Sequence, residues 1–209
     1  MNLSEPLEGL TSKVAAAVLR VLSRTDAGLS GRQVHKVAGV GSTSSVHKAL
    51  TDMVAVGLVT VESRPPSLIY RPNRVHVLWK AVGEALLSRD RAIEEIRLFF
   101  IDEVPDEVPE DWRVTATLYG STARRDSTPQ SDVDVLVVFP DGFDTDERAD
   151  LALRLAERIE ELTGNTAQVN TMDRGGFLRR QSDGDVFLAN VQREGIHLFG
   201  PPPETWRTR

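Results

Sequence analysis

The run Leu118, Tyr119, Gly120, Ser121, Thr122, Ala123, Arg124, completed by Ser131, Asp132, Val133, Asp134 and Val135, constrains this chain more than any other part of it. It reads as a strand, a turn of small residues, and a second strand that opens with two acids. Side chains two apart on a strand share a face, so Asp132 and Asp134 stand side by side while Val133 and Val135 enter a core. A hard divalent cation such as Mg2+ is held by one or two carboxylates together with substrate phosphates, and two such ions sit about 3.5 to 4 Å apart. The turn supplies the complementary half. Glycine at 120 lets the backbone approach a triphosphate, the Ser121 hydroxyl and neighbouring amides can donate to its oxygens, and Arg124 can neutralise its charge. The competing reading is an ordinary turn followed by two solvated aspartates.

The surrounding pattern alternates strand and helix. Arg113 to Tyr119, Asp132 to Phe139 and Thr166 to Met172 read as strands and Asp146 to Leu162 as an amphipathic helix, which predicts an α+β fold with a small mixed sheet flanked by helices. In that setting Gly120 and Ser121, ten intervening residues, then Asp132 and Asp134 resemble the signature of the minimal nucleotidyltransferases of the polymerase-beta superfamily; Ala123, Arg124 and Ser131 match as well. The resemblance covers roughly residues 112 to 200. It implies that Gly120, Ser121, Arg124 and Ser131 bind the nucleotide and that Asp132 and Asp134 are the catalytic metal ligands. An acceptor hydroxyl would then attack the α-phosphate of an NTP, ATP in the first place, and expel pyrophosphate. Positioning and charge neutralisation carry chemistry of this kind.

Two departures from the family pattern stand out. The family commonly adds a third carboxylate from the next strand, as a ligand and as a base toward the acceptor. Here that strand reads Ala167, Gln168, Val169, Asn170, Thr171, so the third position falls to Gln168 or Asn170, amides that could still ligate or hydrogen-bond weakly but cannot accept a proton at neutral pH. Asp173 lies nearby, although strict alternation turns it to the opposite face. The second departure is Arg125, where the family often has glycine; its side chain could tighten or block the nucleotide's approach.

The front of the chain carries a different pattern. Residues 9 to 24 line up Leu10, Val14, Ala17, Val18, Val21 and Leu22 at helical spacing; Ser30 with Gln33 signals a capped second helix ended near Gly39. A third helix from Ser42 carries Val46, Leu50, Met53 and Val54, and after Gly57 come two short strands, Leu58 to Val61 and Leu68 to Arg71. This order resembles a winged helix-turn-helix. Arg32, Lys36, Ser42, Thr43, Ser44, His47, Lys48 and Arg64 would form its double-stranded DNA contact, although Ser42 or Ser44 could merely cap the helix. From Val75 to Ile101 the pattern is helical again, and Asp102 to Asp111 reads as an acidic linker. The expected divisions are a front domain at 1–73, a helical connector at 74–110, the second domain at 111–200 and a loose tail at 201–209.

Charge follows the same division. Residues 1 to 75 hold nine Lys/Arg against five Asp/Glu and the remainder sixteen against twenty-six, so a basic front precedes an acidic back, which suits nucleic acid at one end and a cation at the other. Cysteine is absent and four histidines are dispersed, which excludes thiolate catalysis and argues against zinc. With no apolar run near the length of a membrane span and no signal-peptide layout, the expected setting is the cytoplasm. The expected function is a DNA-binding protein with a nucleotidyltransferase domain, acting as a homodimer through its connector. It would transfer nucleoside monophosphate to a hydroxyl, for instance on a cognate toxin as an antitoxin-type regulator does. The alternative is a transcriptional regulator whose weak or inactive domain senses a nucleotide or binds a partner. An antibiotic-modifying transferase fits less well, since small-molecule chemistry needs no DNA contact.

Overall fold

The computed structural model describes residues 1–104 and 113–202. The chain divides into two compact units, one of Glu5–Ser88 and the other of Met1–Ser4 with Arg89 onward.

In the first unit, α1 (Lys13–Ser23) follows a 3-10 turn at Pro6–Gly9. Ser12 caps α1 by accepting from the amide of Ala15, and the helix buries Val18 and Leu22 completely. A two-residue strand, β1 (Leu29–Ser30), leads to α2 (Gly31–Ala38), which opens on the reciprocal Ser30–Gln33 capping box and ends on Gly39. The third helix, α3 (Thr43–Ala55), opens on a second such box between Ser42 and Ser45 and buries Val46, Leu50 and Met53. Each side chain so buried stabilises by roughly 1.5–3 kcal/mol. Strands β2 (Val59–Arg64) and β3 (Ser67–Pro72) pair antiparallel from Val59 opposite Pro72 to Arg64 opposite Ser67, and β1 adds to the far edge of β3. β1 leaves no mark in the sequence, because two residues carry no periodicity. Finally α4 (Leu78–Leu86) seals this core with Trp79 and Val82; the Trp79 indole donates to the carbonyl of Leu58 at 2.8 Å.

The second unit begins its helices with α5 (Ser88–Glu103), which buries Ala92, Ile93, Ile96 and Phe100. There follow β4 (Thr115–Tyr119), α6 (Gly120–Arg124), β5 (Val133–Phe139), α7 (Thr145–Thr163), β6 (Ala167–Asp173), α8 (Arg174–Ser182), α9 (Val186–Glu194) and β7 (Ile196–Phe199). The sheet runs β6-β5-β4-β7, with β5 and β6 parallel and the other pairs antiparallel. Alternation on β5 sorts its two faces. Val133, Val135, Val137 and Phe139 join Ile96 and Phe100 of α5 and Leu155 and Ile159 of α7, whereas Leu136 and Val138 meet Phe177 of α8 and Leu188 and Val191 of α9. Asp134, two residues before Leu136, therefore lies on the α8/α9 face at the start of the strand. The first residues of the chain complete this unit. Leu3 is buried in its core, and Ser4 and Ser127 each donate a backbone amide to the other's hydroxyl, at 3.0 and 2.9 Å.

Several expectations are revised. The connector expected at 74–110 is not a separate body: α4 belongs to the first core and α5 to the second. In the acidic segment, Asp102 and Glu103 end α5, while 105–112 lie outside the described residues. The tail expected to be loose from Pro201 starts with a buried Pro201 whose carbonyl accepts from the Thr115 hydroxyl at 2.9 Å; residues 203–209 lie outside the described residues. The turn at Gly120 is a short helix, and α8, α9 and β7 occupy a stretch that the sequence reading leaves without elements. No helix among the described residues is long and apolar enough to cross a membrane.

Candidate metal and nucleotide site

The site forms where β4 turns into α6 beside the opening of β5. Gly120 adopts a left-handed φ of 70°, and a Cβ placed on it would collide with Oδ2 of Asp134. Only glycine lets the turn and the carboxylate come so close. Strand pairing sets Tyr119 opposite Asp134, which fixes the acid against the turn. Val133 and Val135 are buried, while Asp132 and Asp134 are half-buried on the other face, as the alternation predicts.

Burial pushes the Asp134 carboxyl above its ordinary value, the neighbouring charge of Asp132 raises it further, and Arg124 pulls it down. Two like charges held together in partial burial destabilise one another and are relieved by a cation. Among the described residues no group of three or more His, Cys, Asp or Glu is placed to hold a metal. The acidic donor set is therefore the two carboxylates of Asp132 and Asp134. That set fits a hard divalent ion.

The two amides named for the third position stand on β6 beside the acids and Tyr119. Gln168 sits opposite Asp134 on the parallel neighbour strand, and its Nε2 donates to Oδ2 of Asp132 at 2.7 Å. Asn170, next on that face, donates from Nδ2 to the hydroxyl of Tyr119 at 2.6 Å. Asp173 does not stand in for an acid. It pairs in register with Phe139, five residues along and so roughly 16 Å from Gln168 at the usual rise per residue. There its carboxylate accepts from the amide of Gly176 and caps α8.

Other candidates take mixed positions. Ser121 is the second residue of α6, partly exposed beside Gly120. The Arg124 guanidinium is exposed and already bonds Asp126 at 3.1 Å, with Glu194 at 3.5 Å. Ser131 closes its own loop, its hydroxyl accepting from the amide of Thr128 at 2.8 Å. Arg125, expected to crowd the nucleotide, instead takes φ 65° at the end of α6 and directs its guanidinium to Asp90, 3.6 Å away. A left-handed position is what a glycine there would serve.

Two contributors escape sequence reasoning. Tyr119 accepts at its hydroxyl from Asn170, and its ring meets Phe187 edge-on at 5.2 Å; burial pushes the phenol up, the Asn170 bond opposes this, and the charge of Asp134 adds to it. Arg89 is buried and donates to the carbonyl of Thr122 at 2.9 and 3.1 Å and to that of Ala123 at 3.3 Å, clamping the end of α6. The position of Tyr119 before Gly120 was a usable signal. For Arg89, an arginine on an amphipathic helix, there was none.

In the first unit Arg32, Ser42, Thr43, Ser44, His47, Lys48 and Arg64 are all exposed. Ser42 serves as the cap of α3, Lys48 pairs with Asp52 at 2.9 Å, and Arg64 pairs with Glu62 at 2.7 Å. Part of the basic charge expected to meet phosphate is thus neutralised within the unit.

No curated protein matches the chain. Among solved structures it is similar to a Sulfolobus solfataricus protein assigned as a nucleotidyltransferase, at 18% identity over 54% of this chain and 84% of that one, with a TM-score of 0.34. A toxin–antitoxin structure with AMP-PNP matches at 22% identity over 52% and 76%, TM-score 0.34. TrmBL2, an archaeal chromatin protein with a novel mode of DNA binding, matches at 18% over 86% and 70%, TM-score 0.31. Overlaps this loose leave function to the site itself. There the family comparison is direct: residues 101–183, which hold Gly120, Asp132, Asp134 and Gln168, match the model of the nucleotidyltransferase domain.

Proposed function

We propose that this chain is a DNA-binding protein whose second unit takes a nucleoside triphosphate, ATP in the first place, with Mg2+, in the chemistry of nucleoside monophosphate transfer to a hydroxyl acceptor. The observation that carries the reading is the collision awaiting any side chain at Gly120, which shows the glycine turn lying directly against the Asp134 carboxylate, the group this reading assigns to the metal. Asp132 and Asp134 supply the oxygens for the ion, the backbone at Gly120 and the Ser121 hydroxyl hold phosphate, and Arg124 adds charge once it turns from Asp126. Magnesium, when bound, would neutralise the triphosphate and the charge that develops on it. The first unit, read as a winged helix-turn-helix, brings α3 and the β2–β3 hairpin to double-stranded DNA, in a homodimer matched to a palindromic site. A cognate toxin or another protein hydroxyl is the acceptor this reading favours.

A second reading keeps nucleotide binding and drops turnover, making the chain a regulator that senses nucleotide. The Gln168 amide bonded to Asp132 favours it, because the position that could deprotonate an acceptor holds a donor instead. Incubation with α-labelled ATP, Mg2+ and hydroxyl acceptors separates the two. Transfer that Asp132→Asn abolishes supports the transferase; Mg2+-dependent retention without transfer supports the sensor; neither retention nor transfer would overturn both.

A further inference from the structure

We infer that the site holds one divalent ion with its nucleotide rather than two, the place of a second being closed by Gln168. This rests on the nucleotide-binding reading above and says how that site is regulated by its own residues.

Paired ions about 3.5 to 4 Å apart must share carboxylate oxygens, and each needs several further oxygens around it. Here two carboxylates are all that the described residues bring together. One oxygen of that pair, Oδ2 of Asp132, is engaged at 2.7 Å by the Nε2 group of Gln168. An amide nitrogen points hydrogens at its partner and cannot ligate a cation, so it occupies the approach that a second ion would need. Turning the amide over, so that Oε1 faces the acids, costs the charge-assisted bond to Asp132.

Register places Gln168 across from Asp134, so no other residue of β6 can take its position. Asn170, the next on that face, is committed to the Tyr119 hydroxyl, and Asp173 to the start of α8. With one ion and no base at 168, β6 offers the acceptor hydroxyl neither a metal nor a proton acceptor, which favours the sensing reading over transfer. Restoring a carboxylate at 168 replaces the donor by an oxygen ligand and opens the second place.

Manganese tests this by electron paramagnetic resonance. The full chain would be loaded with Mn2+ and a triphosphate whose α–β bridge cannot be cleaved, and its metal and nucleotide content counted after gel filtration. The expected result is one Mn2+ per bound nucleotide with an uncoupled six-line spectrum in the wild type, and two per nucleotide with an exchange-coupled spectrum in Gln168→Glu. A coupled pair in the wild type would overturn the inference. So would an uncoupled single ion in Gln168→Glu at wild-type melting temperature and nucleotide retention. Absence of any manganese-dependent nucleotide retention by the wild type is a different result and would overturn the reading beneath it.

Discussion

Replacing Gly120 with alanine tests whether the turn and the carboxylate are one site. An L-residue in left-handed backbone costs about 1–2 kcal/mol. The added methyl must also displace Asp134 from a well-packed position, and overpacking of this kind costs about 1–3 kcal/mol. Together these give about 2–5 kcal/mol, or roughly 8 to 20 °C in melting temperature at about 4 °C per kcal/mol. Gly142 provides the internal control. It too has positive φ, at 81°, but nothing lies within 4 Å of a Cβ placed there, so Gly142→Ala pays the backbone cost alone. The assay pairs thermal unfolding of both variants with nucleotide titration in Mg2+. A ligand at 100 times its Kd stabilises by about 2.7 kcal/mol, and that increment should survive in Gly142→Ala and vanish in Gly120→Ala. If both variants melted together and bound nucleotide alike, the turn would not be seated on Asp134 and the site as described would be wrong.

Other expected outcomes follow from single contacts. Arg89→Ala leaves the carbonyls of Thr122 and Ala123 without their donor, which costs about 1–3 kcal/mol by thermal unfolding and weakens nucleotide binding; Arg89→Lys should recover only part, since an ammonium cannot span both carbonyls. Arg125→Gly should stabilise by about 0.5–1 kcal/mol, because relief of the positive φ outweighs an exposed ion pair. Asp185 is held below its ordinary value by the Leu188 amide first and by Arg180 next. A carboxylate with a depressed pKa adds stability above its unfolded value and loses it as pH falls through the folded one; Asp185→Ala should therefore lower the melting temperature at neutral pH and have no effect in strong acid. On DNA, Arg32→Ala should reduce the salt slope of binding by about one, Lys48→Ala should do less because Asp52 already pairs with it, and Asp52→Ala should tighten binding. Gel retardation across a salt series reads all three.

What could be read from the amino acids was local. The paired acids, the glycine turn, the capped helices and the alternation on β5 are all short-range patterns, and Gln168 and Asn170 fall on the expected face. Contacts that complete the site are long-range. Arg89 reaches Thr122, and Tyr119 meets Asn170 and Phe187, across separations that no periodicity records. The stretch after Met172 escaped for another reason: α8 carries Gly175 and Gly176 with a single buried residue, Phe177, so its apolar signal is too thin to mark a helix. Arg125 could be flagged as a departure from glycine, yet its backbone angle, which explains the departure, exists only in the fold.

The docking of Leu3 and Ser4 has a practical consequence for dissecting the molecule. A fragment cut to begin at Arg89 would be missing a piece of its own interior. The slot of Leu3 would stand empty, forfeiting roughly 1.5–3 kcal/mol, and the Ser127 amide and hydroxyl would lose their partners on Ser4. Expression of the back half alone would thus return a loosened protein, and supplying the missing strip as a short peptide in trans should tighten it again.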